Sequence, residues 1–214
     1  MKAGKKIDLK FYGSLDTPRI ARGLLGSLLV VPAPDGERVS GMIVETEAYL
    51  GEIDRAAHSF GGRRTPRNEV MYGPAGRVYV FFVYGMYYQF NVVTGPADHP
   101  HAILIRALEP AEGVETMRER RSKKLSGKAA ATRRPLSDKD LTSGPGKLAI
   151  ALGIDRGLNG ELLTGGKAWI EHYRQFSDKE IDVGKRVGID YAGEDADLPL
   201  RFSVKGNPFV SRGR

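Results

Sequence analysis

The sequence predicts a mixed α/β protein: one domain, residues 1–214, built on a curved and largely antiparallel sheet. Short strand patterns and short helix patterns follow one another without the regular alternation that a parallel α/β sheet requires. The 214 residues are 41% hydrophobic and 28% charged, which is ordinary for a globular chain. No repeat and no linker-like stretch divides the chain, so a single domain is expected.

The amino-terminal half shows a helix start followed by strands. Thr17 is the expected N-cap and Pro18 the expected first helical residue, because proline suits that position. The helix is expected to end near Gly26. Strands are then expected at residues 28–31, 39–50, 77–95 (two strands) and 101–108. Residues 51–62 are expected to form a short helix that ends in a glycine-rich loop, and residues 65–76 a short helix or turn.

The carboxyl-terminal half is expected to carry two helices and several short strands. Ser143 is the expected cap of the second of these helices. The predicted order is a helix at residues 109–121, a loop at 123–140, a helix at 143–154, and shorter strands at 167–173, 185–193 and 198–211.

One stretch, "FFVYGMYYQF" at residues 81–90, holds six aromatic residues among its ten. Gly85 accepts the positive backbone angles of a tight turn, so we expect a β-hairpin with Tyr84 at its tip. Aromatic residues in strands are usually core residues, which accounts for Phe82 and Tyr88. A tyrosine at a tip has little protein to pack against, so Tyr84 is expected at an interface or inserted into a partner.

The composition excludes several classes of site. The chain has no cysteine, which rules out disulfides, thiolate metal sites, iron–sulfur clusters and cysteine nucleophiles. The amino terminus lacks the apolar core of a signal peptide, and no apolar run approaches the ~18 residues of a membrane span. We therefore expect a cytoplasmic protein without membrane association.

The positive charge is concentrated in two places. Residues 117–134 hold eight basic residues against Glu119 alone, a net charge of +7 that equals the excess of the whole chain. A second cluster consists of Arg63, Arg64 and Arg67. Such patches indicate a polyanionic partner such as nucleic acid, but a solvated helix face followed by a loop explains the longer run equally well.

The strand pattern of "VETEAYLG" places Glu45, Glu47 and Tyr49 on one face, because side chains alternate between the two faces of a strand. Two carboxylates and a phenol form either the solvent face of an edge strand or a site. In an apolar cleft a carboxylate acts as a general base, and the ring of Tyr49 stacks on a flat ligand.

Three other motifs carry less weight. "SGPGK" lacks the spacing of a phosphate-binding Walker loop, so helix capping and loop closure explain it better. "DHPH" at residues 98–101 has a metal-like composition without zinc-site spacing, and we expect no metal there. His58 is expected at the surface or at a helix end unless it converges with Glu47.

Taken in order, the segments "ETEAYLG", "TPRN", "YGMY", "RALEP", "RVGI" and "PLRF" make the chain resemble the alkyladenine (3-methyladenine) DNA glycosylase family. The resemblance runs from about residue 19 to residue 211. It implies a single mixed α/β domain whose β-hairpin protrudes into the DNA minor groove. It also implies a monofunctional enzyme of base excision repair, which flips an alkylated, or deaminated, purine out of the duplex and hydrolyses its N-glycosidic bond.

The resemblance also implies roles for single residues. Glu47 matches the general base that activates water, and Arg106 matches an arginine that holds the carboxylate and the water. The expected base-pocket residues are Tyr49, His58, Phe81 and Asn91, with Tyr49 and His58 on opposite faces of the base and Asn91 disfavouring guanine. Tyr84 matches the intercalating tyrosine. The other expected DNA contacts are Met86, Tyr87, Arg63, Arg64 and Arg67.

Phe81 departs from the pattern, because well-known mammalian members of the family carry a tyrosine there. Stacking on the base survives, but the phenol hydroxyl is lost. An alkylated purine already carries positive charge and leaves readily, whereas a neutral purine such as hypoxanthine needs a proton or a donor. The departure therefore leaves open whether neutral deaminated bases are substrates.

The implied partner is double-stranded DNA that contains damaged purines, and no cofactor or metal is implied. The long amino-terminal extension of some relatives is missing, so we expect a bacterial-type minimal chain, monomeric, acting on DNA in the cytoplasm, or in the nucleus if eukaryotic.

Three alternatives remain at the level of sequence. The first is a non-catalytic module that binds damaged or bent DNA, for which Glu47 is not needed. The second is a metal hydrolase that uses Asp98, His99 and His101. The third is a glycosylase–lyase, which requires an amine nucleophile, and no lysine falls in the matched pocket segments.

Overall fold

The computed structural model describes residues 4–83, 85–125 and 136–212. Its α-helices are α1 (Leu9–Tyr12), α2 (Thr17–Gly23), α3 (Val114–Leu125), α4 (Asp138–Thr142) and α5 (Pro145–Leu152). Its strands are β1 (Leu28–Val30), β2 (Ser40–Tyr49), β3 (Val78–Val83), β4 (Tyr87–Thr94), β5 (His101–Glu112), β6 (Trp169–Glu171), β7 (Ile181–Gly184) and β8 (Arg201–Val204). Short 3₁₀ helices connect several of these elements.

The strands form one sheet in the order β3-β4-β5-β2-β1-β6, and β8 joins β7 to β2. Each of these strand pairs is antiparallel. The predicted class, a mixed α/β domain on a curved antiparallel sheet, is confirmed. Among the described residues, no helix has the length and apolar character needed to cross a bilayer.

Strand β2 lies inside the sheet and is not an edge strand. One side of it pairs with β5, and the other side pairs with β1 near its start and with β8 at Glu45–Glu47. The register between β2 and β5 shifts on both sides of Glu45, so that Arg106 of β5 falls between two paired positions. Irregularities of this kind re-aim side chains and are common beside active sites.

The predicted hairpin is formed by β3 and β4, which pair from Val78 to Val83. Strand β4 pairs with β5 only over residues 91–94, so the distal part of the hairpin extends past the pairing with β5. Gly85 has a φ of 65°, the positive angle that the turn prediction required. Tyr84 lies outside the described residues.

Helices α2, α3 and α5 contribute buried residues to one main apolar cluster with the sheet. That cluster includes Ile20, Ile43, Ile105, Met117 and Leu148. Helix α5 packs against β4 and β5, which supports the hairpin from one side. The core therefore fixes the strands from which the site is built.

Two predicted helix caps are wrong. Asp16, not Thr17, caps α2, since its carboxylate accepts from the N–H of Arg19 at 3.1 Å. The hydroxyl of Thr17 is buried and bonds to Thr94 at 2.9 Å. Gly144 takes the capping position of α5, because the backbone of Ser143 forms a bridge with Ala107 instead.

Three element predictions also need correction. Residues 51–62 form two 3₁₀ turns, because Gly61 and Gly62 take positive φ values. Strand β5 continues to Glu112, so α3 begins later than predicted, at Val114. Residues 185–193 form a loop and a 3₁₀ helix, and the backbone of this segment contributes to the candidate active site.

Candidate active site

The central feature of the site is the carboxylate of Glu47, which is fully buried on β2. Its Oε1 accepts from the backbone N–H of Val187 at 2.7 Å, and its Oε2 accepts from the Tyr49 hydroxyl at 2.9 Å. Nη1 of Arg106 lies 3.2 Å from Oε2. All three partners are donors, so the surroundings suit the ionised carboxylate, which can only accept.

Burial raises the pKa of Glu47 above its ordinary value. The Arg106 charge, the Val187 N–H and the Tyr49 hydroxyl act in the opposite direction, and the nearby Glu45 raises the pKa further. A raised pKa lies closer to pH 7, and a general base is most effective when its pKa is close to the pH at which the enzyme works. The burial of both carboxylates excludes the alternative that Glu45 and Glu47 form a solvent face.

The three partners of Glu47, which are Tyr49, Arg106 and Val187, line a cleft of about 160 Å³ that several aromatic rings help to form, so the carboxylate lies directly beneath the wall of this cleft. The described residues that line it include Tyr49, His58, Phe81, Asn91 and Arg106, all of which the sequence singled out. They come from β2, from the loop after it, and from β3, β4 and β5. The cleft thus brings together five residues spread over 58 positions of sequence, from residue 49 to residue 106.

His58 is held inside the cleft by two aromatic residues of β3. Its Nδ1 is 2.9 Å from the Tyr79 hydroxyl, and its ring centroid is 4.5 Å from that of Phe81. Burial, followed by the charges of Arg67 and Arg63, lowers the pKa of His58 to about 4. The imidazole is therefore neutral near pH 7 and carries a single N–H.

Asn91 is buried, and its side-chain amide donates to the Tyr79 carbonyl at 3.1 Å. This bond crosses the β3–β4 pair, in which Tyr79 and Asn91 are opposite each other. The side chain is therefore fixed by the sheet and presents a rigid polar group to the cleft.

A search against protein families matches residues 10–208 to the model described as methylpurine-DNA glycosylase. The chain belongs to this family. It is 50% identical to a protein of Desulfitobacterium hafniense over 97% of this chain and 98% of the relative. It is also 50% identical to a protein of Clostridium acetobutylicum, over 96% and 97% of the two chains, and 48% identical to one of Bacillus cytotoxicus, over 92% and 95%.

Each of these three relatives bears the name "Putative 3-methyladenine DNA glycosylase". The resemblance that the motifs predicted is therefore confirmed over nearly the whole chain. The names of the family and of the relatives support a DNA glycosylase of DNA repair that acts on alkylated purines, with DNA as its partner.

Within this glycosylase fold, the arginines of the second basic cluster have different surroundings. Arg63 and Arg67, together with Arg55, line a groove of about 410 Å³ that adjoins the cleft at His58. Arg67 also donates to the Phe82 carbonyl at 3.2 Å. Arg64 points elsewhere, because it forms exposed ion pairs with two carboxylates, those of Glu69 and Asp98.

The longer basic run makes internal contacts where the structure describes it. Arg118 pairs with Asp138 at 2.7 Å, Arg120 donates to the Ala151 carbonyl at 3.2 Å, and Arg121 is buried. These contacts favour a structural role for the three arginines. Three further basic residues of the run, Lys128, Arg133 and Arg134, lie outside the described residues.

At the distal end of the hairpin, Met86 is 52% exposed, whereas Tyr87 packs on the start of α5. A Cβ added at Gly146 would lie 2.9 Å from the Tyr87 ring, so α5 and the hairpin touch closely there. Met86 is therefore available to a partner, and Tyr87 anchors the hairpin.

The "DHPH" motif does not converge on one point. Asp98 pairs with Arg64, Nδ1 of His99 is 3.2 Å from the Ala97 carbonyl, and Nδ1 of His101 is 2.9 Å from the Thr17 hydroxyl. Within the described parts of the chain, no group of three or more His, Asp or Glu side chains is placed to hold a metal ion.

Sequence reasoning missed four groups that shape the site. Tyr79 was detectable, since it shares the cleft-facing side of β3 with Phe81. Tyr191 stands at the mouth of the cleft, 71% exposed, with its hydroxyl 3.2 Å from the Ala56 carbonyl. Val187 acts through its backbone, and Arg186 is fully buried against Asp54 with its guanidinium 4.7 Å from the Tyr49 ring centroid.

Proposed function

We propose that this protein is a monofunctional DNA glycosylase, a single domain over residues 1–214, that flips an alkylated purine from duplex DNA and hydrolyses its N-glycosidic bond. The observation that carries the proposal is a fully buried carboxylate, Glu47, with three donors, beneath an aromatic cleft. A module that only binds DNA has no use for a desolvated negative charge close to a phosphate backbone that repels it.

In the proposed reaction, Glu47 takes a proton from a water molecule as the oxygen attacks the anomeric carbon of the flipped nucleotide. The electrons of the glycosidic bond pass to the purine, which leaves as the free base, and an abasic site remains in the DNA. Positive charge develops on the sugar as the bond breaks, and the same carboxylate stabilises it. Arg106 holds the carboxylate in place.

The cleft is proposed to bind the flipped base between aromatic groups. Tyr49 and His58 supply the stacking faces, Phe81 packs on the His58 ring, and Asn91 crowds an exocyclic amino group, which disfavours guanine. Because His58 is neutral near pH 7, it does not repel a positively charged alkylated base. This favours alkylated purines, which leave without further protonation, over neutral ones.

DNA is proposed to bind across the groove beside the cleft and along the hairpin. Arg63 and Arg67 line that groove and are placed to meet phosphates, whereas Arg64 would have to leave its ion pairs with Glu69 and Asp98 to do so. Met86, half exposed at the hairpin, contacts the duplex beside Tyr84, and Tyr87 supports it. Tyr84, which the sequence places between β3 and β4, fills the gap that the flipped nucleotide leaves.

Hydrolysis by water, without a covalent intermediate, is supported by the lining of the cleft. The described residues that line it include no lysine, so they offer no amine for a Schiff base with the sugar. A glycosylase–lyase mechanism is therefore not part of the proposal.

Product analysis tests the proposed function. Duplexes with one methylated adenine are incubated with the protein, and abasic sites are revealed by alkaline cleavage. The wild type should generate abasic sites, and Glu47→Gln should be slower by at least about 100-fold, the usual cost of losing a general base, while it still binds the damaged duplex. Binding without cleavage by the wild type would establish the non-catalytic module instead.

A further inference from the structure

The candidate for a further role is Glu45, which lies two positions before Glu47 on the same face of β2. Its side chain is fully buried, and of its partners only Arg106 lines the cleft, whereas all three partners of Glu47 do. It accepts from Nε of Arg106 at 3.0 Å and from Nε of Arg201 at 2.6 Å. It also accepts from the N–H and the hydroxyl of Ser211, at 2.7 and 2.9 Å.

Arg106 is shared between the two carboxylates. Its Nε contacts Glu45 and its Nη1 lies 3.2 Å from Glu47, so one planar guanidinium bridges both. Because the guanidinium is rigid, a bond that fixes Nε also fixes the direction of Nη1. Glu45 is therefore the group that aims Arg106 at the proposed base.

Arg201 and Ser211 hold Glu45 in turn. Arg201, on β8, neutralises the negative charge of Glu45. The positive charge of Arg106 is therefore not fully offset by Glu45 and also stabilises the ionised form of Glu47. The Ser211 hydroxyl, besides donating to Glu45, accepts from Nη2 of Arg106 at 3.3 Å. Neither Arg201 nor Ser211 is among the described residues that line the cleft, so both hold Glu45 from outside it.

A cluster of two carboxylates and two arginines with little solvent exposure adds little net stability to a fold, because taking charged groups out of water costs desolvation free energy. Replacing such clusters by well-packed apolar residues is often neutral or stabilising, so their ionic character points to a purpose other than stability. We propose that Glu45, with Arg201 and Ser211 behind it, is a positioning residue for base excision: it orients Arg106 and sets the electrostatic environment of Glu47. This inference rests on the proposed function.

Several charged and titratable groups face Glu47, and all bear on its protonation. Glu45 and Tyr49 do so from β2, Arg106 from β5, and the Val187 N–H and Arg186 from the loop after β7. The charge of Glu45 raises the pKa of Glu47, and that of Arg106 lowers it. Replacing Glu45 or Arg201 changes the charges that act on Arg106 and therefore shifts the pH at which Glu47 becomes ionised.

The test uses two variants with opposite expected effects. Glu45→Gln removes a negative charge next to Glu47, so the acid limb of the excision pH profile should move to lower pH. Arg201→Gln removes the positive charge that balances Glu45. Arg106 is then drawn toward Glu45 and away from Glu47, so the acid limb should move to higher pH. Both should slow single-turnover excision at neutral pH by about 10- to 100-fold, the scale of a misplaced catalytic group.

Glu171→Gln is the matched control. Glu171 is also buried and ion-paired, to Arg38 at 2.8 Å, but it lies on β6 at the far edge of the sheet. The control should lose thermal stability and keep the wild-type excision rate and pH profile. Because Arg201 is 21% exposed in its side chain, Arg201→Gln keeps the test valid if Glu45→Gln does not fold.

Two results would overturn the inference. One is a wild-type pH profile and rate in Glu45→Gln and Arg201→Gln, or in Arg201→Gln alone if Glu45→Gln does not fold. The other is an equal rate loss and limb shift in Glu171→Gln, which would show a general effect of reduced stability. Either result, found while Glu47→Gln is inactive, removes this inference alone, whereas full activity of Glu47→Gln removes the proposed function.

Discussion

Arg186 is the residue whose replacement tests the architecture of the site most severely. Its guanidinium is fully buried and makes two bonds to Asp54, to Oδ2 and, at 2.8 Å, to Oδ1. It also donates to the carbonyls of Ala48 at 3.0 Å and Asp195 at 3.2 Å. It therefore ties β2 to the loop whose next residue, Val187, donates to Glu47.

The variant Arg186→Met leaves Asp54 buried without its ionic partner. Breaking a buried pair in this way typically costs about 3–5 kcal/mol. Asp54 keeps the backbone N–H donors of Leu50 and Ala56, each at 2.9 Å, so the lower end, about 3 kcal/mol, is expected. At about 2–4 °C per kcal/mol for a chain of this size, the melting temperature should fall by about 6–12 °C.

Thermal and urea unfolding measure this cost, and the neighbouring ion pair supplies the control. Lys185 pairs with Asp197 at 2.6 Å, but both side chains are exposed, at 66% and 73%. Lys185→Met should therefore cost less than about 1 kcal/mol. Equal losses in the two variants, or a loss below about 1 kcal/mol in Arg186→Met, would refute the role assigned to the buried pair.

Three further predictions concern the base pocket, the hairpin tip and the basic groove. Phe81→Tyr should raise excision of hypoxanthine more than excision of methylated adenine, because it adds a hydroxyl beside the base; equal effects would mean that Phe81 contributes shape alone. Tyr84→Ala should weaken binding to an abasic duplex by about 1–3 kcal/mol and leave undamaged duplex and the melting temperature nearly unchanged; a large drop in melting temperature would make Tyr84 a core residue. Neutralising Arg63, Arg64 and Arg67 together should make the logarithm of the binding constant fall less steeply with the logarithm of salt concentration, by about 0.9 in slope for each phosphate that loses its basic partner. An unchanged slope would mean that the three arginines are solvated surface residues.

The sequence predicted those parts of the site that depend on local patterns. The alternation along "VETEAY" placed Glu45, Glu47 and Tyr49 on one face, and the structure brings Glu45 and Glu47 to the same guanidinium. The hairpin was predicted for a similar reason, because Gly85 between two aromatic strands accepts the positive φ of a tight turn.

Other parts of the site depend on contacts between distant segments, which no local pattern reveals. Glu45 and Ser211 are 166 residues apart, and Arg186 and Asp54 are 132 apart. Val187 contributes a backbone N–H, and any residue except proline offers that group. The strand pattern of residues 185–193 was misread because apolar side chains of this segment line the cleft and do not belong to the sheet.

The helix caps show how a local competition decides a boundary. Asp16 and Thr17 are adjacent and both suit an N-cap. Thr17 is buried, and its hydroxyl forms hydrogen bonds with Thr94 and His101 of other elements, so Asp16 takes the capping role. A prediction from sequence places such a boundary only to within a residue or two.

The central claim, that Glu47 is a buried general base, is tested most directly by the pH dependence of single-turnover excision of methylated adenine. Only the ionised carboxylate can accept a proton from water, so the rate should fall as the pH drops through the pKa of Glu47. Because burial raises that pKa, the midpoint of the acid limb should lie above the ordinary glutamate value of 4.5. Glu47→Gln should be at least about 100-fold slower and lack the limb; a variant with the wild-type rate and the same limb would contradict the claim.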